Sequence, residues 1–171
     1  MAIKWYGNSA RAREADAQFN LAVMYQLGQG VTKSNNETIY WLNSADEQGH
    51  SHAQSYLGSM YLQGVGVRKS YQRALELFRK SAAQCDAVGQ DNLGRLYALG
   101  TGVRQNDVTA YMWFHIAASQ GLGSEHIDGK DMAKEDRQFL SDSLSSQQIR
   151  KALELAEPYI KKCLQQRINK L

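Results

Sequence analysis

Proline is nearly absent from this sequence: one residue, Pro158, in 171. A chain so poor in the residue that breaks helices is free to be helical along most of its length. Cysteine is scarce too. Cys85 and Cys163 stand 78 positions apart, too few and too distant for a disulfide framework or a metal-ligand set. Both are expected to be ordinary thiols, Cys85 at the close of a helix and Cys163 on an apolar stripe, in a protein that does not depend on oxidation. No run is long and apolar enough to span a bilayer, so membrane insertion is not expected. The net charge is only +3, and no basic stripe is interleaved with aromatics, so nucleic acid is not an expected partner. With 43% hydrophobic residues and mixed charge, the chain has the composition of a folded protein rather than a disordered one.

What is present in abundance is repetition. AQFNLAVMYQLGQGV at 17–31 returns as AQSYLGSMYLQGVGV at 53–67 and GQDNLGRLYALGTGV at 89–103, each copy 36 residues after the last. Leu21, Leu57 and Leu93 align, as do Tyr25, Tyr61 and Tyr97, and Gly28, Gly64 and Gly100. A period in this range marks a solenoid, in which each supersecondary unit buries its apolar face on the next.

Each unit reads as two short helices. The first is expected over 15–27, 51–63 and 87–99, with core positions 17, 21, 24 and 25 and their equivalents, one face of a helix. Ala22, Gly58 and Gly94 keep a small residue beside the repeated leucine, which lets a neighbouring helix approach. The aligned glycines at 28, 64 and 100 stop the first helix, and a second glycine two residues on turns the chain. Ser34, Ser70 and Asn106 are N-caps for second helices over 35–48, 71–84 and 107–120. Their apolar faces carry Trp41, Leu42 and Ala45, then Leu77, Phe78 and Ser81, then Trp113, Phe114 and Ala117. The tyrosines recur in step with core leucines and are expected to wedge between helices rather than stack on a ligand.

The run A-x-x-x-L-G-x-x-Y-x-x-G-x-G-V, a cap residue, and then A-x-x-W/L-F/L-x-x-A-A-x-x-G resembles the Sel-1-like repeat (SLR), a relative of the tetratricopeptide repeat. Residues 53–85 and 89–121 carry it almost in full, and 17–49 carry it with Ala22, Thr38 and Asp46 as departures. The resemblance implies an all-α, right-handed α/α superhelical solenoid that scaffolds protein complexes, with no catalytic residue set. Cysteine-rich members pair a cysteine within each repeat. This chain does not follow that pattern, and a disulfide-stapled, secreted subtype is not expected.

The expected organisation is a solenoid over 1–121, with a half-repeat at 1–14 and repeats at 15–50, 51–86 and 87–121, followed by a helical cap over 122–171. Ala2, Trp5 and Ser9 align with Thr38, Trp41 and Ala45, so the chain opens on a second helix. This suggests a piece of a longer array, either cytoplasmic or, if an export signal preceded it, periplasmic. Trp5 and Tyr6 offer an edge for self-association. Near the other end, a helix over 130–142 has Met132, Ala133, Phe139 and Leu140 available for burial. Ser145 and Gln148 form a capping box for a final helix whose stripe is Ile149, Ala152, Leu153, Ala156, Ile160, Cys163 and Leu164. That helix is expected to cover the open face of the third repeat, with Arg150, Lys151, Lys161, Lys162, Arg167 and Lys170 in solvent. Pro158 should kink or divide it.

In helical-hairpin solenoids the first helices line the concave surface. Beyond their core positions they carry Phe19, Val23 and Gln26 in the first repeat, Ser55, Ser59 and Leu62 in the second, and Asp91, Arg95 and Ala98 in the third, the candidate partner-binding residues. Variation at these fixed positions suits a tailored surface and an unconstrained solvent face equally. Phe19 reads as an interface anchor or as packing against a neighbouring repeat. Arg95, an i,i+4 partner of Asp91, reads as a clamp for a peptide carboxylate or as surface decoration. His50 and His52 form an H-x-H without the further ligands a metal needs. The G-x-G of each repeat lies between helices, a turn device rather than a phosphate cradle. No metal, cofactor or catalytic residue is therefore expected. The expected function is a non-catalytic scaffold that binds a protein or peptide segment along the concave groove. The alternative is a small-molecule-binding or hydrolytic protein of the same family using that groove.

Overall fold

The computed structural model describes residues 14–120 and 128–169, with the side chains of 128–132 excepted. These residues form eight helices and no strand: α1 Ala15–Leu27, α2 Asn35–Glu47, α3 Ser51–Gln63, α4 Tyr71–Ala83, α5 Ala87–Leu99, α6 Asp107–Ser119, α7 Asp128–Ser141 and α8 Ser146–Ile168. The first helices of the three hairpins run where their apolar spacing places them. The second helices each end one residue sooner than expected. Trp5, Tyr6 and the expected half-repeat lie outside the described residues. The described residues pack as two compact units that divide between Lys80 and Ser81, within α4.

Unit 1 shows how the hairpin is built. Gly28 and Gly64 close α1 and α3 at φ of 73° and 79°, where a side chain would be strained, and their N–H groups return to the carbonyls of Met24 and Met60. The chain then turns and is tied back. Ser34 N–H donates to the Tyr25 carbonyl and Ser70 N–H to the Tyr61 carbonyl, at 3.1 and 2.9 Å. In unit 2, Asn106 N–H repeats the bond to Tyr97 at 2.9 Å. The Ser34 hydroxyl also accepts from Glu37 N–H, and Asn106 Oδ1 from Thr109 N–H, so the same residue ends the loop and starts the helix. The aligned tyrosines are half-buried, and each packs its ring on a core cluster.

The small-residue position is matched to the second helix it faces. A Cβ on Gly58 would lie 2.7 Å from Phe78 Cε1, and one on Gly94 would lie 2.5 Å from Phe114 Cε1. In the first hairpin the second helix carries Leu42 instead of phenylalanine, and Ala22 takes the glycine's place in the same buried cluster. A ring needs the space that a methyl group would occupy, so the two positions change together. A second pairing follows the same logic: Ala45 and Ala53 are buried together, whereas Ser81 is faced by Gly89, where a Cβ would lie 2.5 Å from the serine hydroxyl.

Unit 2 adds two helices to its hairpin. Ala110, Tyr111, Phe114 and Ala117 of α6 share one buried cluster with Ala133 and Leu140 of α7 and Ala152 and Ala156 of α8. The capping box at Ser145 and Gln148 is formed, with both reciprocal bonds present. Helix α8 runs unbroken past Pro158 and is not divided there. Pro158 is exposed, so the carbonyl that loses its helical donor faces water. Of the expected stripe, Ala152, Ala156 and Cys163 are buried, while Leu153 and Leu164 remain exposed. Phe139, expected to be buried, is instead 78% exposed, and the burial falls to Ala133 and Leu140 on the same helix.

The cysteines are not free thiols. Cys85 and Cys163 are joined in a disulfide, with their Cα atoms 5.4 Å apart. Sequence separation says nothing of this pairing, because α8 runs back across the ends of earlier helices. Lys162 Nζ donates to the Ala83 carbonyl at the end of α4, and Arg167 Nη2 donates to the Gln120 carbonyl past the end of α6, at 3.0 and 3.1 Å. Cations there answer the unpaired carbonyls and the negative end of each helix. Two residues expected in solvent are thus anchors that bring Cys163 to Cys85.

Candidate functional site

Among the described residues, variable positions of the first helices line a recess in unit 1 and another in unit 2. In unit 1, Gln26 of α1 meets Tyr56, Ser59, Met60 and Gln63 of α3 and Val65 beyond it, around a cavity of about 170 Å³. Gln26 Oε1 is buried there without a hydrogen-bond partner. Ser59 spends its hydroxyl on the Ser55 carbonyl, and Ser55 is itself buried, leaving it no surface to offer. Val23 and Leu62 are half-buried.

Phe19 does not project into a groove. Its ring stacks on His50 at 4.9 Å between centroids and meets Tyr56 edge-on at 6.4 Å. It packs against the next hairpin of its own unit. His50 caps α3, its Nδ1 accepting from Ala53 N–H, and its Nε2 lies 3.1 Å from Asp16 Oδ1. Both ring nitrogens are therefore engaged. Among the described residues, no group of three or more His, Cys, Asp and Glu is placed to hold a metal ion.

The recess in unit 2 that Arg95 lines has a volume of about 350 Å³. It is lined by Arg95, Ala98 and Leu99 of α5, Asp107 and Phe114 of α6, and Asp136, Phe139 and Leu140 of α7. Arg95 spans it. Its Nε lies 3.0 Å from Asp91 Oδ2 and its Nη2 lies 2.6 Å from Asp136 Oδ2. The i,i+4 pair is present, but the guanidinium is already held between two carboxylates. A peptide carboxylate would have to displace one of them.

Asp91 is buried, its side chain 7% exposed, and its Oδ1 has no hydrogen-bond partner. Burial pushes its carboxyl up to about 6, against the hydrogen bond and charge of Arg95, with Asp136 adding to the rise. Next along α7, Arg137 Nη1 stands 3.1 Å from His115 Nδ1, and burial followed by the Arg137 charge lowers the imidazole's pKa. His115 is thus a packed histidine paired with a cation. The residues that sequence reasoning missed are Asp136 and Phe139. They lie on α7, outside the repeat, and no spacing within α5 could reveal that Arg95 has a second partner 41 positions away.

The Sel1 repeat family model matches residues 15–50, 51–84 and 87–122, and the chain belongs to this family. It is similar to a solved Sel1 repeat protein from Oxalobacter formigenes, at 34% identity and a TM-score of 0.67 over 78% of this chain and 95% of that one. It is also similar to c5321, a protective antigen present in uropathogenic Escherichia coli strains that displays an SLR fold. There the identity is 28% and the TM-score 0.59, over 99% of this chain. The present chain covers 43% of that longer protein. No curated protein matches the chain. Proteins built from Sel1 repeats are generally non-catalytic scaffolds for protein interaction. Among the described residues, no helix is long and apolar enough to cross a membrane.

Proposed function

We propose that this chain is a non-catalytic interaction module that takes a peptide or protein segment on the faces of its first helices, and that it works in an oxidising compartment. One observation carries the reading. The residues that repeat are consumed by packing and turns, whereas variable positions among the first helices, Gln26 and Ser59 in one unit and Arg95 and Ala98 in the other, line recesses. The disulfide supports the compartment, since such bonds persist in secreted, periplasmic or extracellular proteins and are rare where thiols are kept reduced. A chemical-crosslinking pull-down from an oxidising-compartment extract tests it, with wild type beside a Leu99→Ser, Gln26→Ala double variant, both positions lining recesses. A protein captured by wild type and lost with the variant supports the module. Equal capture by both, or turnover of a small-molecule substrate without any partner, overturns it.

A further inference from the structure

The recess of unit 2 has a composition that selects among segments. Phe114, Leu140 and Ala98 give it an apolar base, beside the polar Gln105 and Ser143 in its lining. Two large apolar side chains stand at its rim in water, Leu99 at 76% exposure and Phe139 at 78%. Exposed residues of this size, lining one cavity, leave apolar area that a partner's side chain would cover. The volume of about 350 Å³ suits one or two side chains rather than a large cofactor.

The charge around that apolar base is unequal. Among the described residues, Arg95 is the one cation lining it, while Asp107 and Asp136 line it as carboxylates, and Asp91 is paired with Arg95. Asp107 sits in the first turn of α6 and offsets the positive end of that helix. Asp91 and Asp136 still outnumber the single guanidinium they share. The guanidinium is neutralised twice over, so the recess presents negative charge to whatever enters. An acidic segment would be repelled, and a lysine or arginine beside an apolar residue would find both a wall and a counter-charge.

We propose that this recess docks a protein segment in which a leucine or phenylalanine is flanked by lysine or arginine. The apolar side chain sits between Leu99 and Phe139, and the basic one lies against Asp136 and Asp107. This rests on the interaction-module reading above and names the class of segment. Deep in the cavity no charge separation occurs, because the basic head group stays at the rim, where desolvation is slight.

The test uses the full chain with its disulfide intact, labelled with nitrogen-15, and two synthetic peptides that differ only in charge. One carries Leu-Lys-Phe-Lys between Gly-Ser ends; the other carries Leu-Glu-Phe-Glu. The expected result is that the basic peptide shifts the amide signals of Ala98, Leu99 and Phe139, and that the acidic peptide binds at least tenfold more weakly. Phe139→Ser, an exposed position whose replacement leaves the core intact, should weaken the basic peptide at least fivefold, and Asp136→Asn should narrow the gap between the two peptides. Equal affinity for both peptides overturns the proposal, as does the absence of binding by either. Shifts confined to the recess of unit 1 also overturn it, while leaving the interaction-module reading standing. Failure of the wider reading would show separately, as equal capture in the crosslinking experiment.

Discussion

The two units close the same turn with different chemistry. After α2 the left-handed position is Gly49, at φ 80°; after α4 it is Cys85, at φ 65°, the one described residue other than glycine with positive φ. Glycine adopts that conformation freely, whereas a cysteine there is disfavoured by about 1 kcal/mol or more. Unit 1 holds its turn with side-chain amides and a carboxylate. Gln48 Nε2 donates to Gln18 Oε1 at 2.7 Å, Gln54 Nε2 to Asp46 Oδ1 at 2.9 Å, and Lys80 lies 3.4 Å from the same Asp46 oxygen. Unit 2 holds its turn with a covalent bond to α8. The difference follows from what each has to secure. A hairpin packed on a hairpin buries a whole apolar face. Helix α8 fully buries only Ala152, Ala156 and Cys163, with Ile149 and Ile160 partly covered, a narrow apolar stripe for a helix of 23 residues.

The largest effect should therefore come from cutting that bond. Reduction, or Cys163→Ser, is expected to remove about 2–5 kcal/mol of stability from unit 2, given the long loop the disulfide closes. Hydrogen exchange read residue by residue should show lost protection along α8 and α6, with α1 and α3 unchanged. If α1 loses protection as much as α8, the contrast between the units is false.

Next in size is the ring-over-glycine contact, which the two units share. Gly58→Ala and Gly94→Ala should each cost about 1–3 kcal/mol by overpacking against Phe78 and Phe114. Adding Phe78→Leu to the first, or Phe114→Leu to the second, recreates the Ala22–Leu42 arrangement of the first hairpin and should recover much of the loss. Denaturant midpoints of the single and double variants check this, and a double variant no better than the single would break the matching argument.

A smaller effect separates the units by pH. Asp91 binds its proton more tightly folded, near pH 6, than unfolded, near 3.9. Between those values the native state holds the extra proton, so stability declines as pH rises through that window. Asp91→Asn should flatten the decline and raise stability at neutral pH by about 1–2 kcal/mol. Thermal melts at pH 4, 5, 6 and 7 read the slope, and an unchanged slope would show that Asp91 is not its source. The smallest change is expected from Phe19→Ala, about 1 kcal/mol from lost ring contacts with His50 and Tyr56, confined to unit 1. A substitution there that alters melting by less than the error of the measurement would return Phe19 to the solvent face.

Much of the architecture was legible because it is local. The apolar spacing at Leu21, Tyr25 and their equivalents places helices whatever surrounds them. Gly28 stops a helix because a left-handed residue is needed within that turn, and Ser145 with Gln148 starts one through bonds three residues apart. The small residues at 22, 58 and 94 were legible as close approaches, although not the rings they face. At the candidate site, the pairing of Asp91 with Arg95 was legible as one helical turn. The tie of Arg95 to Asp136 was not, and neither was the exposure of Phe139, since the apolar pattern of α7 offers more residues than its neighbours cover.

Order along the chain therefore settled the helices, their ends and the period that joins them, through forces acting over a few residues. Packing alone decided that Cys85 meets Cys163, that Lys162 and Arg167 are anchors rather than solvated charge, and that α7 completes a recess begun on α5. Contacts between segments tens of residues apart form only where the whole arrangement lowers the free energy enough to offset the entropy of closing the loop, and no local pattern records that balance.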